Sequence, residues 1–188
     1  MMLTVKRLSP FAMFISIAAS SPSSFAQKAH VDKQVNISFF SEAPLENIDA
    51  HTKSAVGVID MNTGAVFFKV PIKTFTFKKA LMQEHFNENY MESDKYPHAT
   101  LKGQIINLPD PNKDGTYSVT VEGDLTIHGV TQKRQIPGTL VIKGNELQVT
   151  SEFDVRLADH NITIPKLVIK NIAEVVQVKV SSTLVPSP

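Results

Sequence analysis

Short runs of alternating apolar and polar residues follow one another along this chain from Val35 to its carboxyl end. Tyr117 and Val119, for example, alternate with Ser118 and Thr120. Successive side chains of a β-strand point to opposite faces, so each run predicts a strand with one buried face. About eight such runs are separated by turn residues, which is typical of an antiparallel barrel or sandwich. The pattern therefore predicts an all-β domain.

Two segments interrupt the alternation. Met82, Phe86 and Tyr90 recur every four residues, which predicts a short helix over about 79–91 with one apolar face. Residues 155–174 combine apolar positions with a turn and with Pro165, which predicts an irregular lid segment. Because apolar segments outside a sheet must pack over something, we expect both to cover an opening in the barrel.

Alternation also changes phase after the second of two strands that are predicted to form a hairpin over 55–70. Val66, Phe68 and Val70 share one face, whereas Phe75 and Phe77 have the opposite parity. A bulge or bend near residue 71 would return both aromatic rings to the same side as Phe68. We therefore expect a bend there.

The amino-terminal segment resembles a secretory signal peptide. Lys6 and Arg7 precede an apolar run over 8–19, and small residues precede a cleavage point after Ala26. The apolar run is shorter than the ~20 residues that span a bilayer. We expect a signal peptide over 1–26, a single domain over 27–188, and a periplasmic or secreted bacterial protein.

The charge balance limits the classes of partner. The chain has 19 Lys and Arg against 18 Asp and Glu, and removing the signal leaves 17 against 18. Without a basic surplus there is little to neutralise phosphates, so no nucleic-acid partner is expected. The chain has no cysteine, so its stability depends on the apolar core rather than on disulfides.

Motifs for metal, cofactor or catalytic sites are not found. The six histidines show neither an i, i+4 pair nor an HExxH string. Asp110 to Gly115 matches the first half of a calcium-binding EF-hand loop, but Val121 stands where its last ligand should be. There is no Gly-rich phosphate loop and no Gly-x-Ser-x-Gly elbow. We therefore expect no metal, no cofactor and no enzymatic activity.

Two strings resemble the YceI-like family of secreted lipid-binding β-barrels. The first combines Glu84-His85-Phe86 with Asp94-Lys95-Tyr96-Pro97, which leads into a strand. The second is Gly123-Asp124-Leu125-Thr126-Ile127-His128-Gly129-Val130-Thr131. The resemblance implies a lipocalin-like barrel of eight antiparallel strands with an elongated apolar cavity. It also implies an isoprenoid or quinone-like lipid as ligand and a homodimer, and a carrier of such a lipid would contact a membrane transiently.

The strand parities and the resemblance together define candidate site residues. His85 and Asn89 are expected at the rim, where a lipid head group would lie. The expected lipid-binding residues are Phe39, Phe68, Phe75, Phe77, Met82, Phe86, Tyr90, Leu101, Ile105, Val121, Leu125, Ile127, Leu140, Ile142, Phe153 and Leu167.

The expected function is that of an exported carrier or buffer for a long apolar lipid. One alternative is a lipid-modifying enzyme on the same barrel that uses His85, Glu84 and Asp94. Another is a structural envelope protein with a solid core, since alternating apolar residues first of all make a core. Glu42, Glu46 and Asp49 make the first loop acidic, so a neutral head group is expected rather than a pyrophosphate.

Overall fold

The computed structural model describes residues 29–42, 47–164 and 173–187. It contains nine β-strands and one short α-helix among those residues. The predicted signal peptide lies outside the described residues, as does Leu167 of the predicted lid. The strands are β1 His30–Ser41, β2 Ile48–Ile59, β3 Ala65–Pro71, β4 Thr76–Phe77, β5 His98–Ile105, β6 Gly115–Ile127, β7 Val130–Lys143, β8 Glu146–Arg156 and β9 Val175–Pro186.

Eight of the strands form a closed antiparallel barrel. Each strand pairs with its neighbour in the order β1, β9, β8, β7, β6, β5, β3, β2, and β1 also pairs with β2. This last pairing joins the two ends of the sheet and leaves neither β1 nor β2 as an open edge. The two-residue β4 is an addition outside the eight, paired with β2. The predicted lipocalin-like barrel is confirmed.

The predicted bend lies directly after β3. A single 3₁₀ turn, Ile72–Thr74, interrupts the pairing with β2, and the chain then rejoins β2 further along in the same direction, where Phe77 of β4 pairs with Ala50. The hydroxyl of Thr74 donates to the carbonyl of Pro71 at 2.7 Å and fixes the turn. Phe75 and Phe77 thereby face the barrel interior from the segment that leads to the helix.

The predicted helix consists of two short parts. An α-helix, α1 Ala80–His85, continues into a five-residue π-helical turn, Phe86–Tyr90. The amide of Gln83 ties α1 to β4, because its Oε1 accepts from the backbone N–H of Phe77 at 3.3 Å. Among the described residues, no helix has the length and apolarity needed to span a bilayer.

The two halves of the barrel differ in how their interiors are filled. At one end, Leu140, Ile142, Leu147 and Leu184 are almost fully buried and belong to one continuous core. At the other end, where β1 finishes and β2 begins, the strands enclose a cavity. We call these the filled end and the hollow end.

Strands β7 and β8 separate toward the hollow end. Their pairing runs from Thr139–Lys143 to Glu146–Thr150. Beyond it, side chains bridge the two strands instead: Gln132 donates to the Asp159 carbonyl and Arg134 to the Asp154 carbonyl, each at 2.7 Å. Since Pro137 has no N–H to donate, it suits the point where the pairing stops.

His30, at the filled end, should make stability depend on pH. Its side chain is buried and burial lowers its pKa, against the opposing effects of the Asn145 backbone and of Asp60. A depressed histidine pKa means that the unfolded chain binds the proton more readily. The free energy of unfolding should therefore fall as pH drops below about 6.5.

Substituting His30→Gln should flatten this part of the pH profile, measured by urea unfolding. Above pH 8 the ring is neutral in both states, so the difference between variant and wild type should be constant there. If the free energy of unfolding of the variant fell as steeply as that of wild type below about pH 6.5, His30 would not be the cause of the pH dependence.

Candidate functional site

The hollow end contains a cavity of about 530 Å³. Seven strands contribute side chains to its wall: β1, β2, β3, β5, β6, β8 and β9. The segment over 72–91 lies across its opening, and we call the helical part of that segment, residues 80–90, the cover. Twenty-two of the 26 lining residues are apolar, and the described lining includes no Asp, Glu, Lys or Arg. Such a wall offers nothing to stabilise a charge and favours an apolar occupant.

Four lining residues carry polar side-chain atoms: Ser41, His85, Tyr90 and Thr100. The hydroxyl of Ser41 accepts from the backbone N–H of Ala173 at 3.0 Å. Burial raises the pKa of the Tyr90 phenol, so its O–H remains a donor at neutral pH. His85 and Tyr90 are five residues apart, and the wider π-helical turn between them lets both reach the cavity. Together they provide the polar groups of the cover.

Four phenylalanine rings form an aromatic cluster under α1. Phe86 stacks on Phe39 of β1 at 5.5 Å between centroids and lies 5.7 Å from Phe75 and 5.0 Å from Phe77. Phe39 in turn meets Phe75 edge-on at 5.3 Å. Offset and edge-to-face pairs at these separations are favourable beyond their burial. The cluster therefore attaches the cover to β1.

The two family-like strings meet on the outside of this cover. The Nε2–H of His128 donates to Glu92 Oε2 at 2.7 Å, and its Nδ1 lies 3.2 Å from the carbonyl oxygen of His160. Tyr96 packs edge-on against the His128 ring at 4.6 Å. Gly129 has φ +73°, and a Cβ there would lie 2.5 Å from the Tyr96 ring, so a larger residue does not fit.

The contacts of His128 and Gly129 give a physical reason for the residues of the two strings. The turn between β6 and β7 has positive φ at both His128 and Gly129, as a two-residue hairpin of type I′ requires. Through His128 the same turn contacts Glu92, two residues after the π-helical turn. It also contacts the carbonyl of His160, at the end of the segment over 157–160. Three connections around the hollow end are thus joined at one histidine.

The structure brings most of the predicted site residues together. Those that line the cavity are Phe39, Phe68, Phe75, Phe77, Met82, His85, Phe86, Tyr90, Leu101, Leu125, Ile127 and Phe153. Four others do not line it: Ile105, Val121, Leu140 and Ile142 pack in the core of the filled end. Asn89 does not line it either. Leu167 lies outside the described residues.

The four core positions differ from the cavity-lining ones in a way that alternation does not reveal. Alternation indicates which face of a strand is buried, and the alternating pattern continues unchanged along the whole length of β5, β6 and β7. It does not report whether that face meets other side chains or an empty volume.

Fourteen lining residues were not predicted. They are Ile37, Ser41, Ile48, Val70, Ile72, Met91, Ala99, Thr100, Val155, Leu157, Ile162, Val176, Val178 and Val180. Seven of them, such as Val178 and Val180 of β9, share a strand face that the alternation already marked as buried. Others, such as Met91 and Ile162, lie in irregular segments where no period identifies the inner face.

The residues of the enzymatic alternative do not converge. His85 lines the cavity, whereas Glu84 and Asp94 line a separate polar depression on the outside of α1. There the carboxylate of Asp94 pairs with Lys73. The described residues also contain no cluster of three or more His, Asp or Glu that could hold a metal ion.

Comparison with known proteins identifies the same architecture. The family model of the YceI-like domain matches residues 25–184. No curated protein matches the chain.

Among solved structures, one similar fold is a polyisoprenoid-binding domain from Saccharophagus degradans implicated in plant cell wall breakdown. It has a TM-score of 0.74 and 13% identity over 86% of this chain and 99% of that one. BcnA of Burkholderia cenocepacia has a TM-score of 0.65 and 20% identity over 84% and 99%. A Campylobacter jejuni YceI protein has a TM-score of 0.60 and 12% identity over 78% of this chain and 90% of that one. At these identities the likeness establishes a shared fold.

The aromatic cluster predicts a large stability cost at Phe86. Phe86→Ala should lower the free energy of unfolding by about 2 kcal/mol, less than the 3–5 kcal/mol of a fully buried phenylalanine because the ring is half-buried. Leu81→Ala on the same helix is the matched control, since Leu81 is 60% exposed and should change stability by less than about 0.5 kcal/mol. Equal effects in urea unfolding would show that the cluster does not hold the cover.

Proposed function

This chain belongs to the YceI-like family, and we propose that its cavity binds the hydrocarbon chain of one long apolar lipid. The observation that carries the proposal is the cavity itself: 22 of its 26 lining residues are apolar and it lies inside an otherwise well-packed barrel. A barrel of eight strands is either filled by side chains or holds one small ligand. The empty volume supports the second case over a structural protein with a solid core.

The residues that line the cavity indicate which class of lipid it would bind. Long isoprenoid or quinone-like lipids combine a flexible apolar chain with a small head, and a fold relative of this chain is a polyisoprenoid-binding domain. The imidazole of His85 and the phenol of Tyr90 are the polar groups of the cover. Both can donate to a neutral oxygen acceptor, and the described lining has no cation to pair with a pyrophosphate. We therefore favour a neutral head group near α1.

We further propose that the protein is exported and acts as a carrier or buffer without catalysing a reaction. Burying one isoprene unit from water gains about 4 kcal/mol at about 0.8 kcal/mol per methylene. A few units taken from water would thus exceed the ~20 kcal/mol limit of non-covalent affinity. In a bilayer the lipid is already out of water, so transfer to the cavity is close to neutral and reversible.

Binding can be tested by native mass spectrometry of protein purified without detergent from an exporting bacterium. We expect a chain that begins at Gln27 and carries one lipid, which organic extraction then identifies. Leu101→Lys, which places a charge in the cavity wall, should reduce occupancy at least about tenfold because the charge loses its hydration.

Ile106→Lys is the matched control, because Ile106 follows β5 but is 58% exposed and should keep the lipid. A wild-type spectrum of the lipid-free mass alone, unchanged after incubation with bacterial lipids, would overturn the binding proposal. So would equal occupancy in wild type and both variants.

Reversible transport predicts exchange in both directions. Protein loaded with a labelled lipid should return it to lipid-free vesicles, and lipid-free protein should take it up from loaded vesicles to the same final distribution. Extraction that proceeds only toward the protein would contradict a carrier and indicate a sink. A variant with Phe86→Ala, which loosens the cover and removes one ring from the cavity wall, should exchange faster and shift that distribution toward the vesicles.

A further inference from the structure

We propose that Phe68 forms the floor of the cavity and sets the length of lipid chain that it accepts. This inference rests on the proposed lipid binding and identifies the residue that determines specificity within it. It depends on where the cavity ends along three neighbouring strands and on an unusual contact between Phe68 and a glycine.

The deep boundary of the cavity follows one row of paired residues. Phe68 of β3 pairs with Leu101 of β5, which pairs with Leu125 of β6, and all three line the cavity. The next inward-facing row toward the filled end is Val66, Gly103 and Gly123, and none of these lines it.

The row beneath the floor provides very little side-chain volume. A Cβ on Gly103 would lie 2.5 Å from the carbonyl oxygen of Glu122, and one on Gly123 would lie 2.5 Å from that of Lys102. Neither position can therefore take a side chain without moving the backbone. Below Leu101 and Leu125 the interior must be filled from elsewhere, and Phe68 has the largest side chain of the row above.

Phe68 lies flat over a glycine on the other side. Gly57 of β2 is its paired residue, and a Cβ there would lie 2.5 Å from Cε1, 2.9 Å from Cδ1 and 3.1 Å from Cζ of the Phe68 ring. The ring thus occupies the space that any other residue at position 57 would use. Phe68 is 9% exposed and its remaining surface faces the cavity.

Two substitutions should move the floor in opposite directions. Phe68→Ala removes the ring, and the cavity deepens toward the Gly103 and Gly123 row. Gly57→Ala adds a methyl group against the far end of the ring, so the ring tilts into the cavity and makes it shallower. Each methylene that gains or loses burial changes affinity about fourfold.

The test measures affinity for linear isoprenoid alcohols whose length increases by one isoprene unit at a time. Relative to wild type, Phe68→Ala should prefer a longer alcohol and Gly57→Ala a shorter one, each by at least about tenfold in the ratio between neighbouring lengths. Phe68→Leu, which keeps more of the core volume, should shift the preference in the same direction as Phe68→Ala by a smaller factor and serves if the alanine variant does not fold.

Phe75→Ala is the matched control. Phe75 is also buried and also lines the cavity, but it belongs to the aromatic cluster under the cover. Its loss should weaken all lengths by a similar factor and leave the preferred length unchanged.

The outcomes separate the two proposals. Wild type that binds no alcohol of the series overturns the lipid-binding proposal and the floor with it. Wild type that binds the series, with the same preferred length in the Phe68 and Gly57 variants, overturns the floor alone. A shift in Phe75→Ala as large as in Phe68→Ala would also overturn it, because depth would then not be set at Phe68.

Discussion

The hollow end of this barrel depends on one set of contacts, the packing of Phe86 against Phe39, Phe75 and Phe77. These rings lie 5.0 to 5.7 Å from the Phe86 centroid and join the cover to β1 and to the segment after β3. Without them α1 would be attached by its ends and by a few polar contacts, since a six-residue helix is not stable alone. The bend over 72–74 is necessary for the same reason, because it turns Phe75 and Phe77 inward.

The polar contacts outside the cover complement the aromatic ones within it. His128 connects Glu92, which follows the π-helical turn, to the backbone of His160, which precedes the segment that lines the cavity through Ile162. Gly129 permits the close approach of Tyr96 that completes this junction. The motifs that identify the family are thus concerned with holding the cover in place. Four residues of these motifs also line the cavity: His85, Phe86, Leu125 and Ile127.

Much of this architecture could be predicted from the sequence, because the alternation of apolar and polar residues indicates directly which face of a strand is buried. The alternation over 117–127 and the phase change near residue 71 both correspond to what the structure shows. The location of the empty volume could not be predicted that way. Leu125 and Leu140 have the same hydrophobicity and the same inward orientation, yet one lines the cavity and the other is core. What distinguishes them is their position along the barrel, at the hollow end or at the filled end, and sequence periodicity carries no information about that.

The separation between a filled and a hollow end has an energetic consequence. Leu140, Ile142, Leu147 and Leu184 supply close packing and its stability at one end, so the other end can forgo it. A wall of aliphatic and aromatic residues around unfilled space loses dispersion contacts that an apolar ligand can restore. The proposed ligand binding and the stability of the fold therefore use the same kind of interaction at opposite ends of one barrel.

The most direct test of this account is a crystal structure of the protein purified without detergent from bacteria that express it. The account predicts one elongated, unbranched feature of electron density that starts near His85 and Tyr90 and ends above the ring of Phe68. Side chains that fill the volume between Phe39, Phe153 and Leu101, or density for water molecules alone in that volume, would contradict it.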